Sequence, residues 1–190
     1  MDVYEAIVSR RSITRFKPDP IPREVLEKVL SAALWAPSKQ DLQNWYFVVL
    51  AGSQKDRLVA LLRAKFAQIV SAAKAPSLSL YRAWATDWFL DAAEQAPVLI
   101  AVFSEKPVSE DIDYGLSVAA AVQNLLLAAW NEGIGTRWYT SGICAVKEAI
   151  SEHLGIRDKD LVGLVVMGYP AEIPEPTLRR EGRIEWRVEP

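Results

Sequence analysis

Two arginines and a serine stand in a row as Arg10-Arg11-Ser12, directly after a short predicted helix. Guanidinium groups bind phosphate oxygens through paired N–H donors, so two of them beside a hydroxyl group suit a phosphate ester. The same residues would also be favourable simply as positive charge at the C-terminal end of a helix. The tripeptide by itself leaves a phosphate site and a helix end both open.

A polar loop at residues 38–43 separates Pro37, which should end a helix, from an apolar run that begins at Trp45. Such a junction presents side-chain donors and acceptors beside an apolar wall, which is what the edge of a flavin or a nucleobase needs. A plain connection between a helix and a strand would have the same composition. This loop is therefore a candidate binding segment only in combination with others.

A third segment, residues 133–142, contains Gly133, Gly135 and Gly142. Glycine lets the backbone approach a ligand closely, and free N–H groups in such a loop can point at a ring nitrogen or an oxyanion. A helix cap followed by a turn would use the same glycines. The chain has neither a G-x-G-x-x-G motif nor a Walker motif, so we do not expect a dinucleotide held in the Rossmann manner.

Composition narrows the classes of function. The net charge of -2 gives no basic footprint for a nucleic acid or an anionic membrane. The single cysteine, Cys144, and the single histidine, His153, leave no disulfide framework and no cluster for a metal. The acidic N-terminus is unlike a signal peptide, and the most apolar stretch, residues 116–130, falls short of the roughly 20 residues of a membrane span. We therefore expect a cytoplasmic protein.

The elements that must position these segments follow from periodicity and punctuation. Asp2 and Glu5 have the spacing of a capping box, Pro22 suits the first position of a second helix, and Ser109 could cap a long helix that ends at Gly133. Further helices are predicted at residues 54–75, 78–95 and 145–154, and strands at residues 45–50, 98–103, 134–139 and 161–167. This order lacks regular β-α-β alternation, so it predicts an α+β fold rather than a doubly wound one.

Two features point to a further surface. The centre of the long helix, residues 119–129, is apolar on all sides, which requires burial either in the core or at an interface. The last twenty residues, 171–190, contain Pro174 and Pro176 and cannot form a compact element alone. We expect this tail to lie along another surface.

In order and spacing, these segments together resemble the nitroreductase family of flavoproteins over about residues 2–170. The matching segments are Arg10-Arg11-Ser12-Ile13, Arg15-Phe16, Pro18-Asp19-Pro20-Ile21-Pro22, Leu30-Ser31-Ala32-Ala33, Ala36-Pro37-Ser38, Gln43, Trp45, Phe47-Val48-Val49, residues 119–129, Gly133-Ile134-Gly135-Thr136, Trp138 and residues 163–168. The ordered set carries the resemblance, since no single motif in it is specific.

The resemblance implies an FMN-containing α+β protein with a central mixed or antiparallel sheet flanked by helices, in an intertwined homodimer. Residues 1–170 would form the FMN-binding domain, and residues 171–190 would be a C-terminal extension that wraps around the partner subunit. That arrangement would bury both the apolar helix and the tail.

The family pattern also implies a set of site residues. Arg10 and Ser12 would hold the phosphate and ribityl chain of FMN, with Arg11 close by. Either Arg179 or Arg180 would complete the phosphate site. The residues implied to reach the flavin from the other subunit are Pro37, Ser38, Gln40, Asp41 and Gln43.

Two further sets lie on the reactive side of the flavin by the same resemblance. Thr140, Ser141 and Gly142 would follow the edge from the dimethylbenzene ring to N5, with a backbone N–H near N5. The aromatic side chains expected over the flavin, as a wall of the substrate site, are Tyr81, Trp84, Trp88 and Phe89.

Three positions depart from the family pattern. Asp41 stands where the family usually has Asn, Asn44 where it has Pro, and Thr14 where a basic residue is common. A carboxylate near the N1–C2=O edge would lower the affinity of the flavin for an electron pair. Arg15 or Arg137 could compensate, so the departures concern the redox potential rather than the fold.

The function implied is transfer of a hydride from NAD(P)H, through flavin N5, to a small flat acceptor such as a nitroaromatic or a quinone. The cofactor carries the chemistry, so no catalytic side chain is required. Two alternatives stay open. One is another redox reaction on the same fold with FMN, namely heterocycle oxidation, reductive dehalogenation or flavin breakdown. The other is a flavin-binding dimer without turnover.

Overall fold

The computed structural model describes residues 1–72 and 88–188. Its first helix, α1 (Val3–Ser9), begins with the predicted capping box. The Asp2 carboxylate accepts from the Glu5 amide at 2.9 Å, and the Glu5 carboxylate accepts from the Asp2 amide at 3.0 Å. Arg10 follows as the C-cap with φ -55° and ψ 135°, so the chain leaves the helix just before Arg11.

Four strands form one sheet: β1 (Trp45–Ala51), β2 (Val98–Ser104), β3 (Gly135–Tyr139) and β4 (Asp160–Gly168). Their spatial order is β1-β2-β4-β3, and all three pairings are antiparallel. The predicted strands are confirmed to within one residue at each end. The expected α+β class is also confirmed, because helices cover an antiparallel sheet without β-α-β crossovers.

The helices are α2 (Arg23–Ala33), α3 (Gly52–Ala72), α4 (residues 88–95), α5 (Ile112–Asn131) and α6 (Lys147–His153). They cover the two faces of the sheet. Leu99, Ala101 and Phe103 of β2 face the core with α3, α4 and α6. The alternate residues Val98, Ile100 and Val102 face the core with α2 and α5. This alternation explains why every residue of β2 is buried.

The start of α5 differs from the prediction. Asp111, rather than Ser109, is the N-cap, with an extended backbone and a carboxylate that accepts from the Asp113 amide at 2.9 Å. A turn closed by the Glu110 amide on the Pro107 carbonyl at 3.1 Å occupies the residues before it. Asp is as good an N-cap as Ser. Because the turn occupies Ser109, the helix begins after Asp111 instead.

The starts of two other helices also differ slightly from the prediction. Pro22 is the N-cap of α2 rather than its first helical residue. The helix predicted at residues 145–154 begins as a 3-10 turn, Ile143–Val146, followed by α6. The end of the helix predicted at residues 54–75 and the start of the one at residues 78–95 lie outside the described residues.

The apolar helix α5 packs against the sheet with one face. Within residues 119–129, Val122 and Leu125 are fully buried, whereas Leu127 is only half-buried and Gln123 is exposed. The expected burial on every side is therefore not reached within one chain. The helix, Ile112–Asn131, is longer than the apolar stretch of residues 116–130. By length and composition it could cross a membrane, a property that many core helices share. Its packing in the core against Ile100 and Val165 identifies it as a core helix.

The tail is exposed throughout residues 171–188 and contains neither helix nor strand. Its first residues are fixed to the body, since the Ala171 amide donates to the Arg15 carbonyl at 3.0 Å and Arg15 pairs with Glu172 at 3.2 Å. Beyond that point large apolar side chains stand in solvent, with Leu178 at 94% and Trp186 at 78% exposure.

Candidate functional site

Three guanidinium groups gather at the end of α1. Arg10 is partly buried, and burial lowers its pKa, with further lowering from the nearby charges of Arg11 and Arg179. Arg11 donates from Nη1 to the carbonyls of Val8 and Arg10, at 2.9 Å each. No carboxylate pairs with any of these three arginines in the described part of the chain. The cluster is therefore an uncompensated positive site that would gain from a bound anion.

The two arginines of the tail differ in their relation to the cluster. Arg179 lies close enough to Arg10 to lower its pKa, and its Nη1 donates to the Thr177 carbonyl at 2.9 Å. Arg180 has no such influence on Arg10. The sequence left both residues open, because a separation of nearly the whole chain cannot be bridged by local pattern.

The segment that carries Arg10 and Ser12 is fixed to the edge of β3. Ser12 forms a parallel bridge with Thr136, and the Ile13 amide donates to the Thr136 carbonyl at 3.0 Å. Gly135 is needed for this contact, because a Cβ there would lie 2.5 Å from Ile13 Cγ1. Two of the three segments singled out in the sequence, residues 10–12 and 133–142, are thereby joined through backbone contacts.

The polar loop at residues 38–43 has an unusual backbone. Gln40, Asp41 and Gln43 all have left-handed φ values, of 49°, 56° and 47°. This conformation costs a residue other than glycine roughly 1–2 kcal/mol, so it persists only where the surroundings impose it. Within the loop, Ser38 Oγ accepts from the Gln43 amide at 3.0 Å, and the Gln43 side-chain amide donates to Asp41 at 2.9 Å.

Two residues hold this loop onto the first turns of α5. The Lys39 amide donates to Ser117 Oγ at 3.0 Å, and the Lys39 ammonium group pairs with Asp111 and lies 3.8 Å from Asp113. The hydrogen bond with Asp111 raises the pKa of Lys39 and lowers that of Asp111. At the other end, buried Asn44 donates to Ser104 Oγ at 2.7 Å and to the Tyr114 carbonyl at 3.1 Å.

Residues 140–142 form an exposed turn directly after β3. Gly142 has φ +80°, and no other described residue lies within 4 Å of where its Cβ would be, apart from its chain neighbours. The turn therefore leaves backbone N–H groups of an open, left-handed glycine beside the end of a rigid strand. Such a turn can present a backbone donor to a ligand without steric hindrance from side chains.

The predicted aromatic wall is only partly described. Tyr81 and Trp84 lie outside the described residues. Trp88 is 45% exposed, whereas Phe89 is only 3% exposed and lies in the core. The Phe89 ring packs edge-on against Tyr139, with centroids 4.6 Å apart. Phe89 therefore packs beneath the surface and is not part of an exposed aromatic wall.

A cation that sequence analysis did not place beside this wall lies against Trp88. The Arg137 guanidinium carbon is 4.6 Å from the centroid of the Trp88 ring and 4.9 Å from that of Tyr139. Both distances fall within the range of cation–π contacts. Burial raises the pKa of Tyr139 to about 12, against the opposing effect of the positive Arg137. The only signal in the sequence was the i, i+2 spacing of Arg137 and Tyr139 on one strand, which puts both on the same face.

Within one chain, the structure does not bring all the described residues of the predicted site together. The arginine cluster and residues 140–142 share the β3 region, but no hydrogen bond or ion pair in residues 1–72 and 88–188 joins the loop at residues 38–43 to either. The loop is attached to α5 instead. The described residues also contain no group of three or more His, Cys, Asp or Glu side chains able to hold a metal.

Comparison with known proteins matches the model of the "Nitroreductase family" to residues 7–169. A Bacillus subtilis protein provisionally named NAD(P)H nitroreductase YfhC is 30% identical over 175 residues, with 90% of this chain and 86% of that protein aligned. Rat iodotyrosine deiodinase 1 is 27% identical over 199 residues, covering 95% of this chain and 66% of that protein.

A solved structure gives the same result for the fold. The nitroreductase with bound FMN from Desulfitobacterium hafniense superimposes with a TM-score of 0.81 at 21% identity, over 100% of both chains. At this identity the likeness concerns the arrangement of the helices and the antiparallel sheet.

Proposed function

The chain belongs to the nitroreductase family, and on that premise we propose that it is an FMN-dependent oxidoreductase. The observation that carries the proposal is the gathering of Arg10, Arg11 and Arg179 without a carboxylate partner in the described residues. FMN offers a single terminal phosphate, and these guanidinium groups are donors suited to it. The proposal refines the family assignment to a named cofactor and a class of reaction.

The residues present fit the phosphate of FMN. Burial lowers the pKa of Arg10, and repulsion from the like charges of Arg11 and Arg179 lowers it further. A phosphate dianion would remove that repulsion and accept hydrogen bonds from the cluster. Ser12, which is exposed and held on β3 by its bridge to Thr136, would present its hydroxyl group beside them.

Bound FMN supplies a centre, its N5 atom, that accepts and donates a hydride. Residues of this chain would bind and orient it. The exposed turn at residues 140–142 would offer a backbone N–H from beside the left-handed Gly142. Pro37, Ser38, Gln40, Asp41 and Gln43 would contact the flavin edge from the loop that Lys39 holds on α5.

We propose a homodimer in which that loop reaches the flavin of the partner subunit. Apolar side chains on the outer surface of α1 support this, since Val3, Tyr4 and Val8 are all exposed in a single chain. The tail supports it as well, because its exposed apolar side chains need a surface. Residues 1–170 would then be the FMN-binding domain, and residues 171–190 an extension along the partner.

The electron donor proposed is NAD(P)H, and the acceptor a small flat molecule such as a nitroaromatic or a quinone. The name of the Bacillus relative supports the donor. The exposed Trp88 ring would contribute to an aromatic surface for the acceptor, and Tyr81 and Trp84 belong to the same proposal. The location that we propose is the cytoplasm.

The phosphate argument gives the decisive experiment. Apoprotein is titrated with FMN, FAD and riboflavin, and the cofactor released from purified protein is identified by mass spectrometry. We expect FMN to be recovered, and riboflavin, which lacks the phosphate, to bind at least about tenfold more weakly, since hydrogen bonds to charged groups contribute about 1.5–3 kcal/mol. Recovery of FAD, or equal affinity for riboflavin and FMN, would reject the assignment.

A second candidate reaction is reductive removal of a halogen. The specific observation in its favour is the similarity to iodotyrosine deiodinase 1 over 95% of this chain. Anaerobic addition of NADH or NADPH, followed by a nitroaromatic, a quinone or a halogenated phenol, separates the candidates by which compound restores the visible flavin absorbance. A flavin that neither nucleotide bleaches would indicate a binding protein without this turnover.

A further inference from the structure

Among the described residues, aromatic rings rather than hydrogen-bond acceptors lie against the guanidinium group of Arg137. Its carbon lies 4.6 Å and 4.9 Å from the centroids of the Trp88 and Tyr139 rings. Neither a carboxylate nor a hydrogen-bond acceptor pairs with it in the described parts of the chain. A guanidinium group has five N–H donors around its edge, and aromatic contacts leave those donors unused.

Its position relates it to the proposed site. Arg137 and Tyr139 lie on the same face of β3, two residues apart, and the guanidinium group reaches the Tyr139 ring. Tyr139 is the residue directly before residues 140–142, the turn proposed to face flavin N5. Trp88, the second ring in contact with Arg137, is the exposed member of the proposed acceptor surface among the described residues.

The neighbouring phenol does not compensate the charge. Burial raises the pKa of Tyr139 to about 12, so its hydroxyl group stays neutral at physiological pH. Two other arginines show the contrast: Arg63 pairs with Glu94 at 2.6 Å, and Arg157 pairs with Glu152 at 2.9 Å. Arg137 is thus a fixed positive charge whose donors are available to a ligand.

We infer that Arg137 is a specificity-determining residue that binds an anionic substituent of the acceptor, such as a carboxylate on an aromatic ring. The inference rests on the proposed function and narrows its acceptor class to negatively charged flat molecules. The ring of the ligand would lie along Trp88 while its carboxylate accepts from the edge of the guanidinium group. Charge-assisted bonds of this kind are short and directional, so a neutral analogue of the same shape would bind less well.

The first test needs no variant. Holoenzyme with FMN bound is titrated with benzoate and with benzamide, which has nearly the same shape without the charge, and binding is followed by the change in the flavin absorption spectrum. We expect benzoate to bind at least about tenfold more tightly, the effect of one hydrogen bond to a charged group. Equal binding of the two compounds overturns the inference.

Variants then assign the preference to one side chain. Arg137→Met keeps an unbranched side chain against the two rings but removes the charge, and Arg137→Lys keeps the charge. We expect the preference for benzoate to disappear in R137M and to be largely retained in R137K. Arg157→Met is the matched control, since it removes one exposed arginine that pairs with Glu152 of α6, and it should leave the preference unchanged.

The outcomes separate this inference from the proposed function. A preference that survives in R137M places the anion elsewhere and overturns the role of Arg137. A shift of the flavin midpoint potential in R137M without any change in the benzoate preference would mean that the guanidinium group faces the flavin instead. Absence of bound FMN in the unmodified protein would reject the proposed function itself.

The same variants predict a split among acceptors. With 4-nitrobenzoate and the neutral 4-nitrobenzyl alcohol as acceptors, R137M should lower kcat/KM for the charged compound at least about tenfold and leave the neutral one within about twofold. A change shared equally by both compounds would indicate a merely structural contact between α4 and β3.

Discussion

The ammonium group of Lys39 pairs with the carboxylate of Asp111, the residue that caps the N-terminus of α5. The pair joins this loop, residues 38–43, to the first turn of the core-packed helix α5. Gln40, Asp41 and Gln43 hold left-handed conformations in that loop. Since none of them is a glycine, the conformation depends on such anchors rather than on intrinsic preference.

Replacement of Lys39 by Met should therefore loosen the loop and weaken FMN binding several-fold while the fold persists. The measurement is the dissociation constant of FMN, with far-UV circular dichroism to check the fold. Lys28→Met is the matched control, because Lys28 pairs with Glu132 at 2.7 Å at the other end of α5. If K28M and K39M lose FMN to the same extent, the effect comes from α5 in general and the loop is not specifically held by Lys39.

Replacement of Arg10 by Ala should weaken FMN binding by roughly 1.5–3 kcal/mol, because one set of hydrogen bonds to the phosphate is lost. The fold should survive, since Arg10 stands at a helix end and outside the core. In the tail, Arg179→Ala should also weaken FMN binding, whereas Arg180→Ala should not, because of these two arginines only Arg179 lies close enough to lower the pKa of Arg10. Calorimetric titration with FMN measures all three, and an equal loss in R179A and R180A would contradict the assignment.

Deletion of residues 171–190 should lower both the stability of the dimer and the retention of FMN. The tail exposes Leu178 and Trp186 in the single chain, so it gains apolar burial only on a second surface. Sedimentation velocity at micromolar concentration measures the assembly. The R179A variant of the full chain separates loss of the phosphate contact from loss of the tail. A monomer of 21.2 kDa that holds FMN stoichiometrically would refute the shared site.

Replacement of Tyr139 by Phe should leave stability unchanged or raise it by about 1 kcal/mol, because the buried hydroxyl group has no hydrogen-bond partner in the described residues. The variant should also resist alkali better. An unfolded tyrosine ionises near pH 10, whereas the folded pKa is raised to about 12. Between these values the folded state binds more protons, so stability falls as pH rises through this window.

Urea unfolding at pH 9 and at pH 11.5 tests this prediction. The free energy of unfolding should fall less between the two conditions for Y139F than for the unmodified protein. An identical fall in both proteins would mean that Tyr139 ionises in the folded state as readily as in the unfolded state.

Local pattern was sufficient where one short segment decides the structure. The capping box of Asp2 and Glu5 and the four strands were predicted because the signals lie within a few residues. The N-cap predicted for α5, Ser109, was wrong. Ser and Asp are equally good N-caps, and the turn that begins at Pro107 leaves Asp111 as the cap. The family resemblance indicated which segments to propose as the FMN site, because composition and spacing alone had left their role ambiguous.

Contacts between distant segments could not be predicted in the same way. Nothing near Arg179 in the sequence indicates that it lies beside Arg10, and nothing near Arg137 indicates Trp88. The left-handed loop was missed for another reason. Gln40 and Asp41 carry no conformational signal comparable to glycine, and their φ values follow from the anchoring of Lys39 and Asn44.

The strand order β1-β2-β4-β3 places the last strand of the chain between two earlier ones. During translation, a nascent chain that stops between Tyr139 and Asp160 therefore carries β2 and β3, each lacking the neighbour that β4 provides. Open strand edges are templates for association with other chains, and pairing over such long sequence separations is slow. Ribosomal stalling in this interval would thus produce aggregation-prone fragments, whereas synthesis through Gly168 supplies the strand that closes the sheet.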